Sequence, residues 1–141
     1  MRTKVLIVDD EEQFLRLYSN ALKAHDIETV TASNAMDALD IIRHSPPLMV
    51  VSDVKMPRVD GIEFLRRTRE IDPDLPFLFV TAYADVRDAV KALKLGAVDY
   101  LEKPIDLDEL VSAVCDNLGL SNKQHDADLP PSATESIVAV S

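Results

Sequence analysis

Lys4-Val5-Leu6-Ile7-Val8-Asp9-Asp10 decides how this chain is read, because four successive apolar residues run without polar alternation into two carboxylates. A run of that kind suits a strand covered on both faces, as in a parallel sheet flanked by helices. The pattern returns. Met49 to Ser52 leads into Asp53, Phe77 to Val80 into Thr81, and the segment that ends at Glu102 into Lys103 and Pro104. Together with one weaker run these give five expected strands, 4–8, 27–31, 48–52, 77–81 and 98–102.

Between the strands the apolar spacing changes to that of a helix. Ala35, Ala38, Leu39 and Ile42 share one face; so do Val86, Ala89, Val90 and Leu93, and then Leu107, Leu110, Val111, Val114 and Leu118. Segments 12–24 and 60–70 complete five expected helices. Asp106, with Glu109 three residues on, has the signature of a capping box at a helix start, while Gly96 and Gly119 suit left-handed stops.

Strands that alternate with helices through short links predict an α/β fold, a doubly wound (βα)5 sandwich with a parallel five-stranded sheet, for which the flavodoxin-like order is 2-1-3-4-5. In that order the first and third strands are neighbours where the winding reverses. Asp9, Asp10 and Asp53 then meet at the C-terminal edge of the sheet, the edge where ligands bind in such folds.

Composition narrows the function. The 141 residues suit one compact domain with a real core. With 25 acidic and 15 basic residues the net charge is -10, and the segment 121–141 holds only -2 of it, so the body is itself acidic. Such a surface repels phosphate backbones, and no direct contact with nucleic acid is expected. Cys115 is the single cysteine, which excludes an intrachain disulfide. Four apolar residues near the start are too few for a signal-peptide core or a membrane span, so the expected location is the cytoplasm, with no membrane partner. Cys115 falls on the apolar face of the last helix, as a small core or interface residue, and His25, His44 and His125 lie away from the strand ends, as surface histidines do.

The residue types at the strand ends define a chemistry. A hard cation such as Mg²⁺ takes oxygen ligands and keeps several waters, so Asp10 and Asp53 are candidate direct ligands and Asp9 acts through water. An aspartate can also be the nucleophile of phosphoryl transfer, giving an acyl phosphate, if cations neutralise the transferred oxygens. Lys103 is the candidate fixed cation. Thr81 offers a hydroxyl to a phosphoryl oxygen and would draw in the loop that follows it. Taken singly, Asp9 and Asp10 could cap the first helix and Asp53 could be a turn residue. The joint occurrence of these groups at four strand ends favours the site.

These residues also carry a resemblance. Val5-Leu6-Ile7-Val8-Asp9-Asp10-Glu11, then Ser52-Asp53-Val54-Lys55-Met56-Pro57 with Asp60-Gly61, Val80-Thr81-Ala82, and Lys94-Leu95-Gly96-Ala97 with Tyr100-Leu101-Glu102-Lys103-Pro104 resemble the receiver domain of two-component response regulators. The resemblance covers 4–119. It implies that Asp53 accepts phosphate from a sensor histidine kinase and that Asp9 and Asp10 form an acidic pocket for Mg²⁺ or Mn²⁺, with the backbone carbonyl of Lys55 completing the shell. It also implies that Thr81 is the switch hydroxyl, that Lys103 contacts the phosphate, and that Tyr100 turns inward on activation. Two positions depart from the family pattern: Arg58, where a small residue is common, and Ile105, where Phe is common.

By the same resemblance the chain is a receiver over 1–120, followed over 121–141 by a linker or flexible tail that leads toward a AAA+ ATPase module, as in sigma-54-dependent transcription activators. The apolar end, 136–141, resembles the first residues of such a module. The domain is then a signalling module and not an enzyme beyond self-catalysed phosphotransfer and autodephosphorylation. Its partners are the kinase, a downstream effector domain and a second copy docked through 85–118, where Arg87, Lys91 and Lys94 could pair with Asp99, Asp108 and Glu109.

The alternative is an aspartate-nucleophile phosphohydrolase acting on a small metabolite. Haloacid-dehalogenase-type enzymes place an acidic residue two positions after the nucleophile as general acid, whereas this chain has Lys55 and no lid insertion. Nucleotide binding finds no glycine-rich phosphate loop to support it.

Overall fold

The computed structural model describes residues 4–120. Five strands, β1 (Lys4–Val8), β2 (Glu28–Ala32), β3 (Met49–Ser52), β4 (Phe77–Thr81) and β5 (Asp99–Glu102), alternate with five helices, α1 (Glu12–Lys23), α2 (Ala35–His44), α3 (Gly61–Ile71), α4 (Val86–Lys94) and α5 (Leu107–Leu118). All the strands pair in parallel in the order β2-β1-β3-β4-β5. This is the flavodoxin-like doubly wound sandwich that the sequence predicts.

Period-two alternation along each strand divides the core into two layers. Leu6, Val8, Val50, Phe77 and Phe79 face α2 and α3, while Val5, Ile7, Met49, Val51, Leu78 and Val80 face α1 and α5. In the first layer the rings of Phe64 and Phe77 lie 5.1 Å apart and those of Phe77 and Phe79 5.7 Å apart, within the range where aromatic edges and faces attract.

Register sets what the C-terminal edge presents. Val8 pairs with both Ala32 and Ser52, and Thr81 pairs with Glu102. Asp9, Asp53 and Lys103 are therefore each the first residue past the pairing of their strands, and Thr81 is the last residue of β4.

Element ends differ from expectation by a residue or two. β3 and β5 begin one residue late, because Leu48 and Val98 each donate one hydrogen bond to the neighbouring strand and remain 50% and 40% exposed. Hydropathy extends a run into such half-docked residues. β2 is displaced by one residue, to end at Ala32. The capping box at α5 needs correction: the Asp106 carboxylate accepts from the Asp108 amide and not from that of Glu109. Gly96 and Gly119 do take left-handed φ values, 88° and 71°.

α4 is held mainly at its ends. Only Ala92 is buried, and Val86, Val90 and Leu93 point outward. At its start the Asp85 carboxylate accepts from the amides of Arg87 and Asp88. At its end the Arg69 guanidinium, sent across from α3, donates to the carbonyls of Leu95 (2.7 Å) and Gly96 (3.2 Å), and also to those of Asp72 and Leu75. A cation at a helix C-terminus meets the negative end of the helix dipole, so this clamp is favourable beyond its hydrogen bonds.

His25 and His44 are exposed, and Cys115 is half-buried against the second layer, where burial raises its thiol pKa. Among the described residues no helix is long and apolar enough to cross a membrane. The expectations for 121–141, including the linker, the apolar end and His125, lie outside the described residues.

Candidate functional site

The strand ends bring the predicted residues together. Asp9 and Asp53 are buried and Asp10 is exposed, and carboxylate oxygens of all three lie within 4.8 Å of one another. Between the two buried carboxylates sits Lys103, its Nζ 2.8 Å from Asp9 Oδ2 and 3.1 Å from Asp53 Oδ2. The other oxygen of each aspartate turns to backbone. Asp9 Oδ1 accepts from the Glu11 amide at 2.9 Å, and Asp53 Oδ1 accepts from the amides of Val54 (2.6 Å) and Lys55 (3.3 Å). Both carboxylates are thus fixed in orientation, with one oxygen each committed to the lysine. The capping alternative for Asp9 holds only in part: it bonds one amide before the helix, but the residue at the cap position of α1 is Glu11, which makes no side-chain cap.

Burial governs the protonation of the group. It lifts the Asp9 pKa, an effect that the hydrogen bond and charge of Lys103 offset only in part. For Lys103 burial acts downward, yet Asp9 and Asp53 outweigh it and leave the pKa raised, so the ammonium stays charged. Tyr18, beneath this cluster, is pushed up to about 12, chiefly by burial.

Thr81 is fully buried, and its Oγ1 accepts from the Tyr83 amide at 3.3 Å. Its carbonyl accepts from the Lys103 amide at 2.8 Å, which ties the ends of β4 and β5 together. Among the described residues its hydroxyl makes no hydrogen bond to Asp53 or Lys103. The Tyr100 ring lies inward, 6.2 Å from that of Phe79, with its hydroxyl buried near the Asp85 backbone but outside hydrogen-bond geometry. Lys55 projects its side chain away from the carboxylates, 3.6 Å from Asp88 of α4.

The donor set fits a hard divalent cation. Three carboxylates converge with a single ammonium among them, and Asp10 borders an open cleft of about 540 Å³ that Lys55, Met56, Arg58 and Asp60 also line. Arg58 takes a left-handed φ of 70° at the rim of this cleft. Sequence reasoning missed Ser52, whose hydroxyl donates to the Asp53 carbonyl, and Phe14, whose ring faces Lys103. No local motif marks either.

Gly61 shapes the acceptor loop. A Cβ there would overlap the Asp53 carbonyl oxygen and approach within 2.9 Å of Phe79 and of the Val54 Cα. Gly61→Ala is expected to cost about 1–3 kcal/mol of folding free energy through overpacking, read from the urea midpoint. An unchanged midpoint would show that the loop yields without strain.

The fold and this edge define a class, and comparison with known proteins agrees. Residues 5–115 match the response regulator receiver domain family. The chain belongs to that family, a signalling domain of two-component systems that works as a phosphorylation-dependent switch. It is 43% identical over 107 residues to regulatory protein AtoC of Escherichia coli K12, covering 76% of this chain and 23% of that protein. It is 36% identical over 114 residues to sporulation initiation phosphotransferase F of Bacillus subtilis 168, covering 81% and 92%. The receiver domain protein (CheY-like) of Methanospirillum hungatei JF-1 superposes with a TM-score of 0.82 at 27% identity, covering 88% of this chain and 99% of that one. The chain spans about a quarter of the length of AtoC and of the transcriptional regulatory protein ZraR of Klebsiella oxytoca.

Proposed function

We propose that Asp53 is the phospho-acceptor of a two-component switch, and that a sensor histidine kinase supplies the phosphoryl group. A carboxylate oxygen of Asp53 attacks phosphorus, the P–N bond to the kinase histidine breaks, and the electron pair leaves with the imidazole. The observation that carries this reading is the buried Lys103 ammonium, 2.8 Å from Asp9 and 3.1 Å from Asp53, which supplies fixed positive charge where phosphoryl oxygens would gather. Asp9, Asp10, Asp53 and the Lys55 carbonyl would hold Mg²⁺ or Mn²⁺. The ion, when bound, supplies further neutralisation of the phosphoryl oxygens.

Transmission runs through the loop after β4. The Thr81 hydroxyl leaves the Tyr83 amide for a phosphoryl oxygen, the loop moves inward, and the inward placement of Tyr100 is favoured. The α4 face then shifts its population toward another partner. Because α4 leaves Val86, Val90 and Leu93 exposed beside the exposed charges Arg87, Lys91 and Lys94, a second copy docked through 85–118 is one readout.

The domain boundary falls near 120. The segment 121–141 acts as a linker, and the parent protein regulates transcription in the cytoplasm through a sigma-54-dependent activator module. Similarity to AtoC, ZraR and DNA-binding transcriptional regulator NtrC of Escherichia coli K12 supports that output. Hydrolysis of a small metabolite is disfavoured, because Lys55 is turned to Asp88 and offers no acid to a leaving group.

The test is chemical. With Mg²⁺ and acetyl phosphate the intact mass should rise by one phosphoryl group, and borohydride reduction should convert residue 53 to homoserine. Homoserine at another position, or an unchanged mass, would overturn the assignment.

A further inference from the structure

Phe14 lies on the first turn of α1, and its ring centroid is 3.8 Å from Lys103 Nζ. An ammonium has three N–H donors, and two of them are engaged by Asp9 and Asp53. The ring faces the same ammonium as these two carboxylates do, from a third direction. It is itself held in place, half-buried in the second apolar layer with its centroid 5.8 Å from that of Tyr18.

The choice of an aromatic ring has a chemical consequence. A ring face attracts a cation through its quadrupole and leaves the charge intact, and the attraction grows where water is excluded. The Lys103 side chain is only 5% exposed. A third carboxylate in this place would fix the lysine equally well, but it would cancel the charge that phosphoryl oxygens need. An aliphatic side chain would fill the space without holding the ammonium.

We propose that Phe14 is a positioning residue for phosphoryl transfer, its ring holding the Lys103 ammonium between Asp9 and Asp53 at full charge while the phosphoryl group arrives. This role rests on Asp53 being the acceptor.

The full chain with Mg²⁺ and acetyl phosphate tests it through the rate of phosphoryl uptake, followed by intact mass. Phe14→Leu should slow uptake about three- to thirtyfold, the range that a desolvated cation–ring contact spans, whereas Phe14→Tyr, which keeps the ring face, should restore it. A trifluorinated phenylalanine placed at the same position keeps the shape and weakens the quadrupole, so it should slow uptake while leaving the apolar packing and the cooperative melt in place. In a Lys103→Met background Phe14→Leu should have no further effect.

A labelled wild type beside a trifluorinated variant of equal rate overturns the role of Phe14 alone. So does an undiminished effect of Phe14→Leu in the Lys103→Met background. A wild type that takes up no phosphoryl group overturns the acceptor assignment, and this role with it. Proton NMR gives a reading free of that dependence: the methylene next to Lys103 Nζ should carry an upfield ring-current shift that Phe14→Leu removes, and its absence from the wild type overturns the contact.

Discussion

Asp53→Asn is expected to take up no phosphoryl group from acetyl phosphate and to remain folded. The loss is complete because the amide nitrogen and oxygen of Asn are poor nucleophiles and, among the described residues, the other buried carboxylate, Asp9, is the less accessible of the two. Asp9, the other carboxylate on Lys103, is less exposed than Asp53, 2% against 6%, and lies nearer the lysine, 2.8 Å against 3.1 Å. Stability is preserved by two opposed changes. An Asn oxygen still accepts from the Val54 and Lys55 amides, as Asp53 Oδ1 does at 2.6 and 3.3 Å, while its NH2 group faces the Lys103 ammonium in place of a carboxylate oxygen. Against that lost ion pair stands the relief of repulsion among three carboxylates whose oxygens lie within 4.8 Å. A melting temperature within about 5 °C of wild type, equivalent to about 1 kcal/mol, is the expected balance. A mass increase in Asp53→Asn equal to that of the wild type would place the acceptor elsewhere.

How far this site can be read from sequence depends on what each residue pairs with. Asp9, Asp53 and Thr81 were legible because each ends an apolar run, and a run buried on both faces has one sequence signature, whereas Lys103 follows a strand, Asp99–Glu102, whose residues are exposed or half-buried. The short helical crossovers call for a doubly wound sheet, of which 2-1-3-4-5 is one order, and it is order and register that bring the four together. Contacts with the main chain leave no such mark. Arg69 binds four carbonyls, and every residue has a carbonyl, so nothing in the sequence singles out Leu95 or Gly96 as its target.

Contacts between elements distant in the chain are hidden for a related reason. Phe14 on Lys103 and Lys55 on Asp88 depend on how helices tilt over the sheet edge, which a periodic pattern does not specify. The misplaced starts of β3 and β5 have another source. Leu48 is as apolar as Met49 after it, and Val98 is more apolar than Asp99, where β5 begins, so hydropathy does not mark where pairing begins.

Lys103→Met is expected to destabilise the protein by about 3–5 kcal/mol at neutral pH, the cost of removing one partner from a buried charge cluster. Met is the stringent replacement because it keeps an unbranched stem and can still rest on the Phe14 ring, so the loss reports charge more than packing. Two carboxylates, 2% and 6% exposed, then face each other with no ammonium between them. The sign of the pH dependence follows from Asp9. Its folded pKa already stands above the ordinary 3.8 through burial, and Lys103 with the Glu11 amide holds it down, so losing the lysine raises it further. A carboxyl whose folded pKa is raised binds its proton more tightly in the native state, so stability is gained below 3.8 and lost as pH rises through the folded value. The gap between variant and wild type should therefore be widest at neutral pH and narrow as pH falls toward that value, a trend that paired urea titrations would follow. A divalent cation that binds only the folded state should narrow the gap as well, because the variant has lost the charge that competes with the ion for Asp9 and Asp53. Thermal melts with and without Mg²⁺ should thus show a larger upward shift for Lys103→Met than for the wild type. Equal shifts would mean that the lysine and the ion do not share these carboxylates, and a gap independent of pH would mean that the loss at Lys103 is one of packing.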